Sequence, residues 1–70
     1  MTNEDLVIIS QMKPYYLNFK KHLTFSPPPD IQSQFNDMHK RLKGYYIEPC
    51  GTCWIDAITS ILIESGVGLD

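Results

Sequence analysis

Seventy residues with three Phe, four Tyr and one Trp make at most one small domain. The hydrophobic fraction of 43% lies well above a disordered profile, although a chain this short is only marginally stable alone. A net charge of −2, from 6 Lys and Arg against 8 Asp and Glu, excludes a generic nucleic-acid binder, which needs a basic face to neutralise phosphates.

The N-terminus, Met1-Thr2-Asn3-Glu4-Asp5, is polar and acidic and has no apolar signal region, so the product is expected not to be secreted. The longest aliphatic runs, Leu6–Ile9 and Ile61–Ile63, are too short to cross a bilayer. The default is then a cytoplasmic product with reduced thiols.

Thr2 or Asn3 can cap a first helix, with Glu4 and Asp5 complementing its dipole. Ile9, Met12, Tyr16, Phe19 and Leu23 step by three and four residues and form one helical stripe. Pro14 interrupts the hydrogen-bond ladder beneath that stripe, which predicts a helix kinked or broken near residues 10–14. A short strand over Leu6–Ser10 is the rival reading, but no other segment offers it a partner. Pro27-Pro28-Pro29 makes a stiff corner between helices, not a domain boundary.

Asp30 is placed to cap a second helix, whose apolar stripe is Ile31, Phe35, Met38 and Leu42 and whose end is Gly44. The basic clusters Lys20-Lys21-His22 and His39 to Lys43 fall toward helix C-termini, where cations complement the dipole. Tyr45 to Pro49 reads as an extended aromatic link. A third helix follows over about Thr52 to Glu64, with Trp54, Ile58, Ile61 and Leu62 on one face and Ile55, Ala57 and Ile63 widening the apolar surface. The expected fold is an all-α bundle of three or four short helices forming one domain over residues 1–70.

Pro49-Cys50-Gly51-Thr52-Cys53-Trp54 holds both cysteines and the only tryptophan at the start of the third helix. Three readings stay open. Two cysteines at i and i+3 near a helix N-terminus can form a dithiol couple, because the dipole favours the thiolate there. Here Gly-Thr separates the pair, Trp54 follows instead of preceding it, and Glu48 opposes thiolate formation. Alternatively Cys50, Cys53 and His39 could contribute to a three-ligand or inter-chain zinc site; His22 is too far from His39 in a simple antiparallel bundle to join it. The favoured reading is that both cysteines are small buried residues packed under Trp54 or the Tyr45/Tyr46 pair. Neither histidine has a nucleophile at a recognisable spacing, and no phosphate loop or metalloprotease helix motif is present, so no catalytic residues are assigned and no enzyme activity is expected.

The order of these parts resembles small uncharacterised proteins of tailed bacteriophages. The similarity covers roughly residues 30–65: a helix ending in Leu42-Lys43-Gly44, an aromatic link, then Cys50-Gly51-Thr52-Cys53 and the helix that follows. The resemblance implies a phage-encoded accessory protein, located in the virion or the bacterial host cytoplasm, and assigns no site residues. Together these readings predict a non-enzymatic interaction protein, a virion or assembly component without a required cofactor. It would act by self-association or through a protein partner, burying Trp54, Ile58, Ile61, Tyr45 and Tyr46. No membrane, nucleic-acid or small-molecule partner is expected. The alternatives are a zinc-stapled or redox module and a phage regulator docking on a host protein.

Overall fold

The computed structural model describes residues 1–69. Three helices make up the described chain: α1 over Asn3–His22, α2 over Pro29–Lys43 and α3 over Gly51–Ser65. No strand occurs among the described residues, and Leu6–Ser10 lies inside α1. Among the described residues no helix is long and apolar enough to cross a membrane.

α1 begins with a reciprocal cap. Thr2 Oγ1 accepts from the Asp5 backbone N–H at 3.2 Å, and the Thr2 backbone N–H donates to Asp5 Oδ2 at 3.2 Å. The helix is not split at Pro14. Pro14 and Ser10 both lie on the exposed side, so water can satisfy the Ser10 carbonyl that the proline leaves without its usual donor. The buried stripe is Ile9, Met12 and Tyr16. Leu23 does not continue it. It closes the helix in the left-handed region, at φ 59°, donates its N–H to the Phe19 carbonyl at 2.7 Å, and points outward.

α2 starts one residue before the expected cap. Pro29 occupies the first turn, where its missing N–H costs nothing, and Asp30 lies within that turn. Phe35 and Met38 are its buried apolar residues, and Gly44 at φ 91° ends it. The link that follows sends Ile47 into the core, pinned by a hydrogen bond from its backbone N–H to Asn36 Oδ1 at 2.7 Å. α3 buries Ile58, Ile61 and Leu62, and Gly66 at φ 80° turns the tail so that Val67 and Leu69 pack back on the core.

α1 is the central element: α2 and α3 each pack on it, whereas their own backbones do not approach closely. Side chains bridge them instead. Trp54 of α3 lies between Phe25 and Phe35, with ring centroids 6.4 and 6.3 Å away, and Phe25 meets Phe19 edge-on at 6.5 Å. This run of four rings joins all three helices through the proline corner. Lys43 and Glu64 add an ion pair from α2 to α3 at 2.6 Å. No buried side-chain nitrogen or oxygen lacks a partner among the described residues.

One polar tie holds the start of α1 to the end of α2. Arg41 forms a two-pronged ion pair with Asp5, using both terminal guanidinium nitrogens. Asp5 has almost no accessible surface, and Arg41 and Thr2 supply its hydrogen-bond partners. The Arg41 hydrogen bonds hold the Asp5 carboxyl below the usual carboxylate range; desolvation opposes them, and the Thr2 bonds assist. A carboxyl depressed on folding stabilises the native state above its unfolded pKa and loses that contribution as pH falls through the folded value. The melting-temperature gap between the native protein and Asp5→Asn is therefore expected to be full at pH 7, to narrow as pH falls below the ordinary aspartate range of about 3.9, and to be lost as pH falls through the depressed folded value. Thermal melts followed by circular dichroism across that range check it; a gap independent of pH would show that the charge contributes nothing.

Candidate interaction groove and exposed disulfide

Because α2 and α3 lean on α1 and not on each other, a groove remains between the C-terminal half of α2, the link and the N-terminal half of α3. Its volume is about 320 Å³. Ile47 and Ala57 provide apolar lining, Cys53 lies along one side, and Tyr45 stands at the rim. Glu48 and Asp56, both exposed, also line it, and neither has an ion-pair partner among the described residues. Lys43 is the cation of the groove, and it is already paired with Glu64. The open face thus combines an apolar floor with uncompensated negative charge.

His39 fixes the shape of one wall. It is buried on α2, and its ring packs edge-on to Tyr45 at a centroid distance of 5.1 Å. Its Nδ1 lies 2.8 Å from the Tyr45 carbonyl. A carbonyl can only accept, so Nδ1 carries the proton and only Nε2 could serve as a ligand atom. The link leaves α2 at Gly44, and this bond turns it toward α3. Tyr45 and Tyr46 remain 62% and 54% exposed, with the Lys40 ammonium 5.9 Å from the Tyr46 ring centre.

The residues expected to act together are therefore divided. Ile58 and Ile61 have no accessible surface and belong to the chain's own core. Trp54 is half-buried between its two phenylalanine neighbours. Tyr45 and Tyr46 are the members of the set open to solvent, and Ile47 takes the core position between the two elements.

Cys50 and Cys53 are joined in a disulfide, with Cα atoms 5.2 Å apart. The expectation of two buried, reduced residues is corrected on both counts: Cys50 is exposed and Cys53 only half-buried. Cys50 is the cap residue of α3, and its sulfur accepts the Cys53 backbone N–H at 3.1 Å. A cap residue must stand outside the helical turn to turn its side chain back on the free N–H groups, which is why Cys50 is not covered by the helix it starts. The proposed zinc ligands are not assembled. Cys53 and His39 border the same groove, but no group of three His, Cys, Asp or Glu side chains gathers at metal-binding distance among the described residues.

The polar tie and the link's core residue carry no sequence signal. The Asp5–Arg41 pair spans 36 positions, and the burial of Ile47 in preference to its tyrosine neighbours depends on the Asn36 bond. The fold defines a small all-α protein of three helices with a groove and a surface disulfide side by side. No protein-family model, curated protein or solved structure matches the chain.

Proposed function

We propose that the chain is a non-enzymatic interaction module, a phage-encoded virion or assembly accessory component that acts through the groove between α2 and α3. The observation that supports this is the groove's chemistry: an apolar floor, the exposed Tyr45 rim with Tyr46 beside it, and two unpaired carboxylates, Glu48 and Asp56. That combination suits a segment of another protein carrying an apolar side chain flanked by Lys or Arg. Exposed aromatic residues next to a pocket are the side chains that most often dominate interface energies. The phage context rests on the resemblance of residues 30–65, and a regulator docking on a host protein would use the same surface.

The test is a pair of variants. Tyr45→Ala with Tyr46→Ala removes no residue of the apolar core and keeps the backbone bond from His39 to the Tyr45 carbonyl, so, although it uncovers one edge of the His39 ring, it is expected to change the melting temperature far less than a core truncation. It should weaken retention of the partner at least tenfold in capture from an infected lysate, the equivalent of about 1.4 kcal/mol. Glu48→Lys with Asp56→Lys should weaken it further and make the residual binding less sensitive to salt. Capture that both double variants leave unchanged would remove the groove from the interaction. A partner drawn only from capsid or tail proteins supports the assembly role, a soluble host protein redirects the reading to regulation, and a concentration-dependent dimer in sizing chromatography that is lost in the tyrosine variant makes the partner a second copy.

A further inference from the structure

The Cys50–Cys53 bond makes little sense as a staple. It joins residues separated by three positions within the first turn of one helix and ties no two elements together. The entropic gain from a cross-link grows with the loop it closes, and this loop is among the shortest a disulfide can close. Neither cysteine belongs to the fully buried core, and Cys50 is open to solvent. The bond therefore lies where an external thiol can reach it.

We propose that Cys50–Cys53 is a thiol–disulfide exchange site, with Cys50 as the attacked sulfur and Cys53 as the resolving one, whose substrate is a cysteine pair of a protein. Three observations carry this beyond the interaction reading by adding a redox step to it; the exchange chemistry at Cys50 stands without that reading, whereas the choice of a protein as substrate rests on its groove. First, the two sulfurs are unequal: Cys50 is exposed, whereas Cys53 is half-covered and faces the groove. Second, Cys50 is the α3 cap, and the Cys53 N–H already points at its sulfur. On reduction that N–H and the positive end of the helix would both favour a thiolate at Cys50. Thr52 Oγ1, 3.7 Å from the same sulfur, is a further donor. The exposed Glu48 carboxylate acts in the opposite sense, with solvent screening its effect. Third, the groove begins at Cys53, so a peptide chain lying in it passes alongside the disulfide.

The exchange balances without any outside oxidant. A thiolate of the substrate pair attacks Cys50 Sγ; the new sulfur–sulfur bond forms as the Cys50–Cys53 bond breaks, and Cys53 leaves as a thiolate that takes a proton from water. The second substrate thiolate then attacks the substrate sulfur held by Cys50. The substrate disulfide forms and Cys50 leaves as a thiolate. Two electrons pass from the substrate dithiol to the cysteine pair, and the two protons lost by the substrate thiols return to the cysteines through solvent. Run backwards, the reduced protein opens a disulfide.

Single-cysteine variants test the assignment with oxidised glutathione as the probe. In Cys53→Ser, Cys50 should form a mixed disulfide with glutathione at pH 6 to 7 at least tenfold faster than Cys53 does in Cys50→Ser. Its rate should also fall off at lower pH than that of a free thiol. The reduced native protein should convert to the intramolecular disulfide with the same probe, passing through a mixed species at Cys50, and its helical circular dichroism should be unchanged by reduction. Equal rates at the two cysteines, or a Cys50 no faster than an unstructured cysteine peptide, would overturn the proposal. So would loss of helicity on reduction, which would make the bond a staple after all. Glutathione is too small to need the groove, so the Tyr45/Tyr46 variant should react as the native protein does; the exchange and interaction readings can therefore fail separately.

Discussion

Phe35→Ala should leave little folded protein at 25 °C, whereas Trp54→Ala should leave a folded domain with a lowered melting temperature. Phe35 has no accessible surface and lies on the α2 face that meets α1, against the Trp54 ring. Truncating a buried Phe to Ala removes its transfer free energy and leaves a cavity, at a cost of about 3–5 kcal/mol. In a domain of this size a single hydrophobic core rarely supplies more than about 3–5 kcal/mol of net stability, so the loss consumes most or all of it. Trp54 is the larger side chain and, as the single tryptophan at the head of an apolar helix, the more conspicuous one. Its ring is nevertheless partly open to solvent, and part of the space it vacates would fill with water and not remain a void. Its truncation is expected to cost less than that of Phe35. Urea unfolding of both variants measures the order directly. If Trp54→Ala were the more damaging, the centre of the core would lie at the α3 N-terminus and not where α2 meets α1.

That contrast marks where the sequence was legible. The helices of α2 and α3 could be read because their apolar residues recur at helical spacing: Phe35 and Met38 in one, Ile58, Ile61 and Leu62 in the other. Gly44 and Gly66 mark their ends for a reason visible in the chain, since both occupy the left-handed region that other residues avoid. The stripe of α1 was equally clear as far as Tyr16. It failed at Leu23, where the chain needed a left-handed residue to stop the helix and used a leucine in place of a glycine. Pro14 predicts a kink or a break because a proline removes a hydrogen bond, but how far the helix yields depends on whether water reaches the freed carbonyl, which requires knowing which side of the helix is covered.

The candidate site was less legible. Links lack periodicity, so nothing in Tyr45-Tyr46-Ile47 says which side chain enters the core; aromatic size argues for the tyrosines, and the Asn36 hydrogen bond decides for Ile47. The spacing of Cys50 and Cys53 allowed a disulfide, whereas the expected compartment argued for thiols. Which sulfur would be exposed depends on the cap geometry of α3, and that follows from the helix beginning at Gly51. The groove has no sequence signature, because it exists only where two helices lean on a third.

The same substitution on opposite sides of α3 gives the sharpest test of this arrangement. Ile61→Asp is expected to abolish folding, and Ile63→Asp to leave it nearly intact. The two positions are neighbours in an almost continuous aliphatic run, and composition alone treats them alike. In the structure Ile61 has no accessible surface, while Ile63 is 61% exposed. A carboxylate at position 61 would have no cation beside it in a cluster made of Ile9, Met12, Phe35, Ile58 and Leu62. Whether it stays charged or takes up a proton, the cost exceeds about 4 kcal/mol, which approaches or exceeds what a domain of this length can lose. At position 63 the carboxylate remains hydrated. It stands in the last turns of α3 beside Glu64, where the negative end of the helix disfavours it, so a penalty of up to about 1 kcal/mol is expected. Circular dichroism and urea titration of the two variants separate the cases. A folded Ile61→Asp would mean that this face of α3 is open to solvent in the protein. An unfolded Ile63→Asp would mean that the outer face of α3 is covered, and a concentration-dependent melting temperature of the native protein would then identify the cover as a second copy of the chain.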